Sequence, residues 1–175
     1  MLQEHTGVMW LDSSILMKTS NLSAIYDQVI HDTNGIALTL TCFHSNYAVI
    51  DPTMFHFIPS NIEALKVTLQ GGSGSVLLYR THKIYKHVMK WWVLCALEKN
   101  CIAPYENRFC KFEVGGDYLT QFADCHRFDQ AALNVLLANL FDFNHRIYLS
   151  KNRINEVVRR QKRGSLDLSK CKTKG

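Results

Sequence analysis

No run in the sequence approaches the roughly 20 apolar residues that a membrane-spanning helix needs. The first residues, Met1-Leu2-Gln3-Glu4-His5, are not a basic stretch leading into an apolar one, so no cleavable leader is expected in the chain as written. Paired Cys-x-x-Cys-type knuckles, the usual mark of a structural zinc site, are missing as well. A nucleotide-type phosphate loop is excluded too. Gly71-Gly72-Ser73-Gly74-Ser75 has the small residues, but no Lys-Ser/Thr pair follows it, and a strand is expected where a helix should begin. There is no internal repeat. Nor is there a general excess of positive charge: up to Ser150 there are 11 basic and 13 acidic residues, against 9 and 2 from Lys151 onward. The net charge of +5 therefore belongs to a C-terminal tail, and the body offers no field for a nucleic-acid backbone.

What is present is enough for one domain with a core: 175 residues, 47% hydrophobic and 20% charged. Residues 1–150 form the expected body and 151–175 a basic tail expected to be disordered. Cys95, Cys101, Cys110 and Cys125 crowd together in the manner of a disulfide framework. Cys110 with Cys125 across a loop, or Cys95 with Cys101 at a helix end, are the candidate pairs. A zinc site drawing on these cysteines and His126 is the alternative, which the spacing disfavours. Disulfides imply an oxidising compartment, whereas no leader is visible, so an upstream piece carrying one is expected.

Gly7-Val8-Met9-Trp10-Leu11 reads as a buried strand ending at Asp12-Ser13-Ser14. Asn21 to His31 reads as a helix, residues 35–42 as a strand, and Asp51-Pro52 as the start of a short helix. A small-residue turn at residues 71–74 is expected to feed a strand over Ser75–Arg80, followed by an N-cap at Thr81 and a one-sided helix from His82 to Lys99. Residues 128–141 are apolar on most sides and read as an interior helix. The alternation of strands and helices predicts an α/β fold with a mixed, largely parallel sheet and flanking helices.

Three segments carry candidate chemistry. Asp12 at a strand end either holds a divalent cation against a diphosphate or simply caps a turn. Gly72, Ser73, Gly74 and Ser75 either let a backbone approach a ligand or form a flexible connection. Asp124-Cys125-His126-Arg127-Phe128-Asp129-Gln130 gathers carboxylates, an imidazole, a guanidinium and an amide where the interior helix begins, as a ligand site or as a capped helix start with solvated neighbours. Helical spacing sets Gln130 near Asn134, so that two amides would face one ligand.

Taken in order, these segments resemble the landmarks of metal-dependent glycosyltransferases of the GT-A fold. Trp91-Trp92-Val93-Leu94-Cys95-Ala96-Leu97, Cys101-Ile102-Ala103-Pro104 and Cys125 through Asn134 are similar to an uncharacterised family of invertebrate glycosyltransferase-like proteins. The likeness covers roughly residues 7–148 and resembles the C-terminal half of such a domain, without the nucleotide-binding front half. It implies a nucleotide-sugar donor, a glycan or glycoprotein acceptor, a Golgi or secretory-lumen location, and manganese or magnesium as cofactor. Asp12 and, secondarily, His126 would be metal or phosphate contacts. Gly72–Ser75, Arg127 and Asn134 would meet donor or acceptor, and Asp129 with Gln130 would line the catalytic cleft. The sequence departs from the family's Asp-x-Asp by keeping one carboxylate, which puts metal binding in question. A non-catalytic glycan- or protein-binding remnant is the competing reading. A regulator using the basic tail on nucleic acid has only that tail behind it. Asn21-Leu22-Ser23 is the one glycosylation sequon, and Arg160-Gln161-Lys162-Arg163 has the form of a processing site.

Overall fold

A computed structural model describes residues 5–33, 35–39, 43–150, 154 and 158–160. Its centre is a four-stranded sheet in the order β1-β4-β3-β5, with β1 Gly7–Leu11, β3 Ile36–Thr39, β4 Gly72–Tyr79 and β5 Leu149–Ser150. β4 runs antiparallel to both β1 and β3, and among the described strands only the two-residue β5 lies parallel to its neighbour. The expectation of a largely parallel sheet is thereby corrected. β1 and β3 do point the same way, but β4 enters between them in the opposite direction. Strand–helix alternation predicts parallel neighbours only when each connection is a crossover, and the segment between β3 and β4 instead brings the chain back reversed. Residues 40–42, the end of the expected second strand, lie outside the described residues. A two-stranded antiparallel ribbon pairs β2 (Ile15–Met17) with β6 (Val158–Arg160). The expected basic tail thus contributes a strand; 161–175, with most of the processing-type string, lie outside the described residues.

The sheet's side chains alternate as a pleated strand requires. Ile36, Leu38, Val76 and Leu78 enter the main core with Leu133 and Leu137 of α6, the helix Phe128–Leu140. Ala37 and Leu77 face the other way, onto Ile25 and Val29 of α1, Ser23–Asp32. The result is three layers: α1, sheet, and a helical layer led by α6. Residues Ala131 through Ala138 are buried without interruption, which explains why this segment lacks a polar stripe. Along the chain between β3 and β4 come a short 3-10 helix, Pro52–His56, capped by the Asp51 carboxylate on the Thr53 N–H, and α2, Ile62–Val67.

The expected one-sided helix after Thr81 is present in three pieces: α3 His82–Ile84, a π-helical turn Tyr85–Met89, and α4 Lys90–Ala96. Thr81 caps it, its hydroxyl accepting from the Ile84 N–H. A disulfide from Cys95 to Cys101 joins its end to α5, Lys99–Ile102.

Gly72–Gly74 belong to β4 rather than to a turn, so that part of the sequence reading is corrected. Just ahead of them, a Cβ on Gly71 would come within 2.5 Å of Leu149 Cδ2 and 2.9 Å of Leu38 Cδ2, so any side chain there would require the two core leucines to shift. Asn134, fully buried on α6, accepts the Gly71 N–H at 2.7 Å and donates to the Gly71 carbonyl at 2.9 Å. Replacing Asn134 with Ala strands the Gly71 N–H in the core and leaves the Gly71 carbonyl to Gln130 alone, and we expect a loss of about 2 kcal/mol in urea unfolding. Gln130→Ala should cost clearly less in the same titration, because Asn134 still serves the Gly71 carbonyl.

Candidate functional site

β1 ends at the sheet margin and delivers Asp12 beside β4. The Asp12 N–H donates to the Gly74 carbonyl at 2.8 Å, and a Cβ on Gly74 would lie 3.0 Å from Asp12 Oδ2. Glycine is therefore what lets the carboxylate lie over β4. Opposite stands the first turn of α6 with Asp129 and Gln130. Trp92 Nε1 donates to the Asp129 carbonyl at 3.1 Å, tying that turn to α4. Between the two lies an open cavity of about 630 Å³ lined by Asp12, Arg108, Phe109, Arg127, Asp129 and Gln130, among others.

Two residues of the wall, Arg108 and Phe109, went unnoticed in the sequence. They reach the cleft because Cys110 is bonded to Cys125, while the His126 N–H donates to the Asn107 carbonyl at 2.8 Å and the Phe109 N–H to Asn107 Oδ1 at 3.0 Å. The Arg108 guanidinium lies 5.1 Å from the Phe109 ring centre. The only sequence signal for this wall was the cysteine itself, whose neighbours a bridge to Cys125 carries toward Arg127.

The electrostatics of the cleft are mixed. Asp129 stands at the rim with part of its surface open to solvent, yet the protein around its carboxyl removes enough water to push its pKa above the ordinary value, opposed by the Gln130 N–H and reinforced by the charge of Asp12. Arg127 Nε is enclosed and has no acceptor among the described residues, leaving a donor unsatisfied beside the opening. Phe128, between Arg127 and Asp129, takes a left-handed backbone with φ of 43°, a conformation that a bulky side chain adopts at a cost of about 1–3 kcal/mol and that clusters at functional positions.

Not every sequence candidate reaches this cavity. His126 is fully buried; its Nδ1 accepts the Asp51 N–H at 3.1 Å and its Nε2 faces the Ile102 carbonyl at 3.2 Å. Both ring nitrogens are spent on backbone, burial lowers its pKa, and no lone pair remains for a metal ion or proton for a phosphate. Asn134 serves Gly71 and the Gln130 carbonyl. Gln130 Nε2 donates to the Gln70 side chain at 2.9 Å and the Gly71 carbonyl at 3.0 Å, so the two amides bind the start of β4 rather than one ligand. Ser75 is buried, its hydroxyl 2.5 Å from that of Thr39, and Gly72 is buried as well. Ser73 is half-buried, like Gly74. Apart from the bridged Cys110, the metal-type side chains lining the cavity are Asp12 and Asp129, and no cluster of three such ligands exists among the described residues.

No protein-family model, curated protein or solved structure matches this chain. So few carboxylates suit a divalent ion that completes its shell with a ligand's phosphate oxygens and water, as magnesium does, and do not suit an all-protein cage. The four bridged cysteines suit a secreted or lumenal protein, and no described helix is long and apolar enough to cross a membrane.

Because the Asp129 pKa is raised from its ordinary value, its contribution to folding is fully present below that ordinary value and is lost as pH rises through the raised one. Asp12→Asn removes one of the causes. A carbon-detected NMR titration should find the Asp129 midpoint lower in that variant yet still above an ordinary aspartate, since the desolvation remains.

Proposed function

We propose that this cleft binds the diphosphate of a nucleotide sugar and that the parent activity is transfer of the sugar to a hydroxyl of a glycan or glycoprotein. One observation carries the reading: Asp12 and Asp129, distant in sequence, line one cavity together with Arg108 and Arg127. Cations beside carboxylates are what a diphosphate leaving group with a shared divalent ion requires. Arg127, half-buried in the wall, brings a guanidinium to the cavity where phosphate oxygens would lie. The resemblance of the Asp12, Gly72–Ser75 and Asp129–Asn134 segments to nucleotide-sugar transferases supports the same assignment. Asp12 stands as the one carboxylate of the family's Asp-x-Asp, and α6 brings a second, Asp129, to the same cleft.

In the reaction, an acceptor oxygen bonds to the anomeric carbon as the bond from that carbon to the diphosphate breaks. Arg108 and Arg127 neutralise the departing charge, and Asp129, with its raised pKa, takes the hydroxyl proton. Manganese or magnesium, held by Asp12 and completed by phosphate oxygens and water, would supply further charge neutralisation. The disulfides and the sequon accord with a Golgi lumen.

A non-catalytic binding remnant is the second reading, favoured by the small metal-ligand set. Calorimetric titration with uridine diphosphate separates the two. Nucleotide transfer chemistry predicts binding that strengthens with manganese and weakens by about tenfold or more in Asp12→Ala and Arg127→Ala. Absence of binding by the folded chain with the metal present sinks the proposal, and glycan binding that survives chelation and Asp12→Ala favours the remnant.

A further inference from the structure

The helix from His82 to Ala96 turns Ile84, Val88 and Cys95 into the protein. Its other sides carry an unusual combination. Tyr85, Trp91, Val93, Leu94 and Leu97 are 47%, 48%, 52%, 45% and 81% exposed. His82, Lys83, Lys86, His87 and Lys90 are exposed alongside them, and no Asp or Glu occurs from Ala64 through Leu97. Single exposed leucines are ordinary, but five large apolar side chains on one short helix and its end are not.

We propose that this face of the helix docks onto an anionic membrane surface. Lysines bury their methylene stems along apolar surface while their ammonium groups meet lipid phosphates. Trp and Tyr place an apolar ring and a polar edge at the same boundary. Lys90 already lies 5.3 Å from the Trp91 ring centre, so cation and aromatic are presented together. The Cys95–Cys101 bridge fixes the helix end where Leu94 and Leu97 project, which removes much of the ordering entropy that a free amphipathic segment loses on binding.

Charge and apolarity together decide the occupant. A nucleic-acid backbone would use the lysines and gain nothing from Val93, Leu94 and Leu97. A protein interface draws its apolar residues into a centre depleted of lysine, whereas here Lys86 and Lys90 are interleaved with Tyr85 and Trp91 along the helix. Exposed lysines beside exposed Trp, Val and Leu on one helix, with no carboxylate among them, give an anionic lipid surface both a charge partner and an apolar one.

Co-sedimentation of the whole chain with vesicles tests this. Phosphatidylcholine vesicles with about 30% phosphatidylserine should retain it, pure phosphatidylcholine vesicles should retain little, and raising the salt should release it. Lys86→Glu with Lys90→Glu should reduce binding to the anionic vesicles by roughly 10-fold or more, and Leu94→Glu with Leu97→Glu by a similar factor. All four side chains are exposed, so both variants should keep the circular dichroism of the parent chain, which is checked first. Tryptophan fluorescence should shift to the blue on the anionic vesicles and not in the leucine variant. Failure of the folded chain to bind the anionic vesicles overturns the proposal. So does binding that the leucine variant retains in full, and equal retention on soluble polyglutamate would then identify an acidic partner in solution instead.

Discussion

A single buried amide organises much of this protein. Asn134 closes on both backbone groups of Gly71, at a point where a side chain in place of the glycine would have to displace Leu38 and Leu149. Main-chain groups in a dry interior must find partners. Here the partner is a side chain on α6, so strand and helix are locked at one place. From that lock β4 runs between β1 and β3, and α6 lies against the sheet with its first turn at the margin where β1 ends.

The same lock settles which polar residues are free for chemistry. Asn134 and Gln130 are spent on the backbone of Gly71 and the side chain of Gln70, with Asn134 also on the Gln130 carbonyl, and His126 is spent on Asp51 and Ile102. Asp12, Asp129, Arg108 and Arg127 are left around the opening. The Cys110–Cys125 bridge closes a loop whose cross-linking is worth about 3 kcal/mol on the chain-entropy account, and it also holds the arginine wall against the strained backbone of Phe128. Stability and site geometry thus share the same covalent bond.

Much of the secondary structure was legible because its signals are local. The apolar run of β1, the Thr81 cap, the proline after Asp51 and the apolar girth of α6 each involve residues a few positions apart. Strand direction was not legible. The helices flanking β1 and β3 suggested parallel neighbours, yet the contacts that insert β4 between them, Asn134 with Gly71 and Ser75 with Thr39, join residues far apart in the chain. The candidate site divided on the same line. Asp12 and Asp129 could be selected as carboxylates at element ends, whereas Arg108 carries no pattern of its own.

By itself, then, the sequence determined the elements, the position of the core helix, the cysteine-rich region and a short roster of polar residues, because periodicity, capping and composition act over a few residues. Only the tertiary structure decided the antiparallel order of the sheet, the pairing of Cys110 with Cys125, and which polar side chains face the cleft. The physical reason is that a polar side chain in a fold is claimed by the nearest unsatisfied partner. Whether that partner is a buried backbone group, as for Asn134 and His126, or the open space of a cleft, as for Asp12 and Arg127, depends on what the rest of the chain brings beside it.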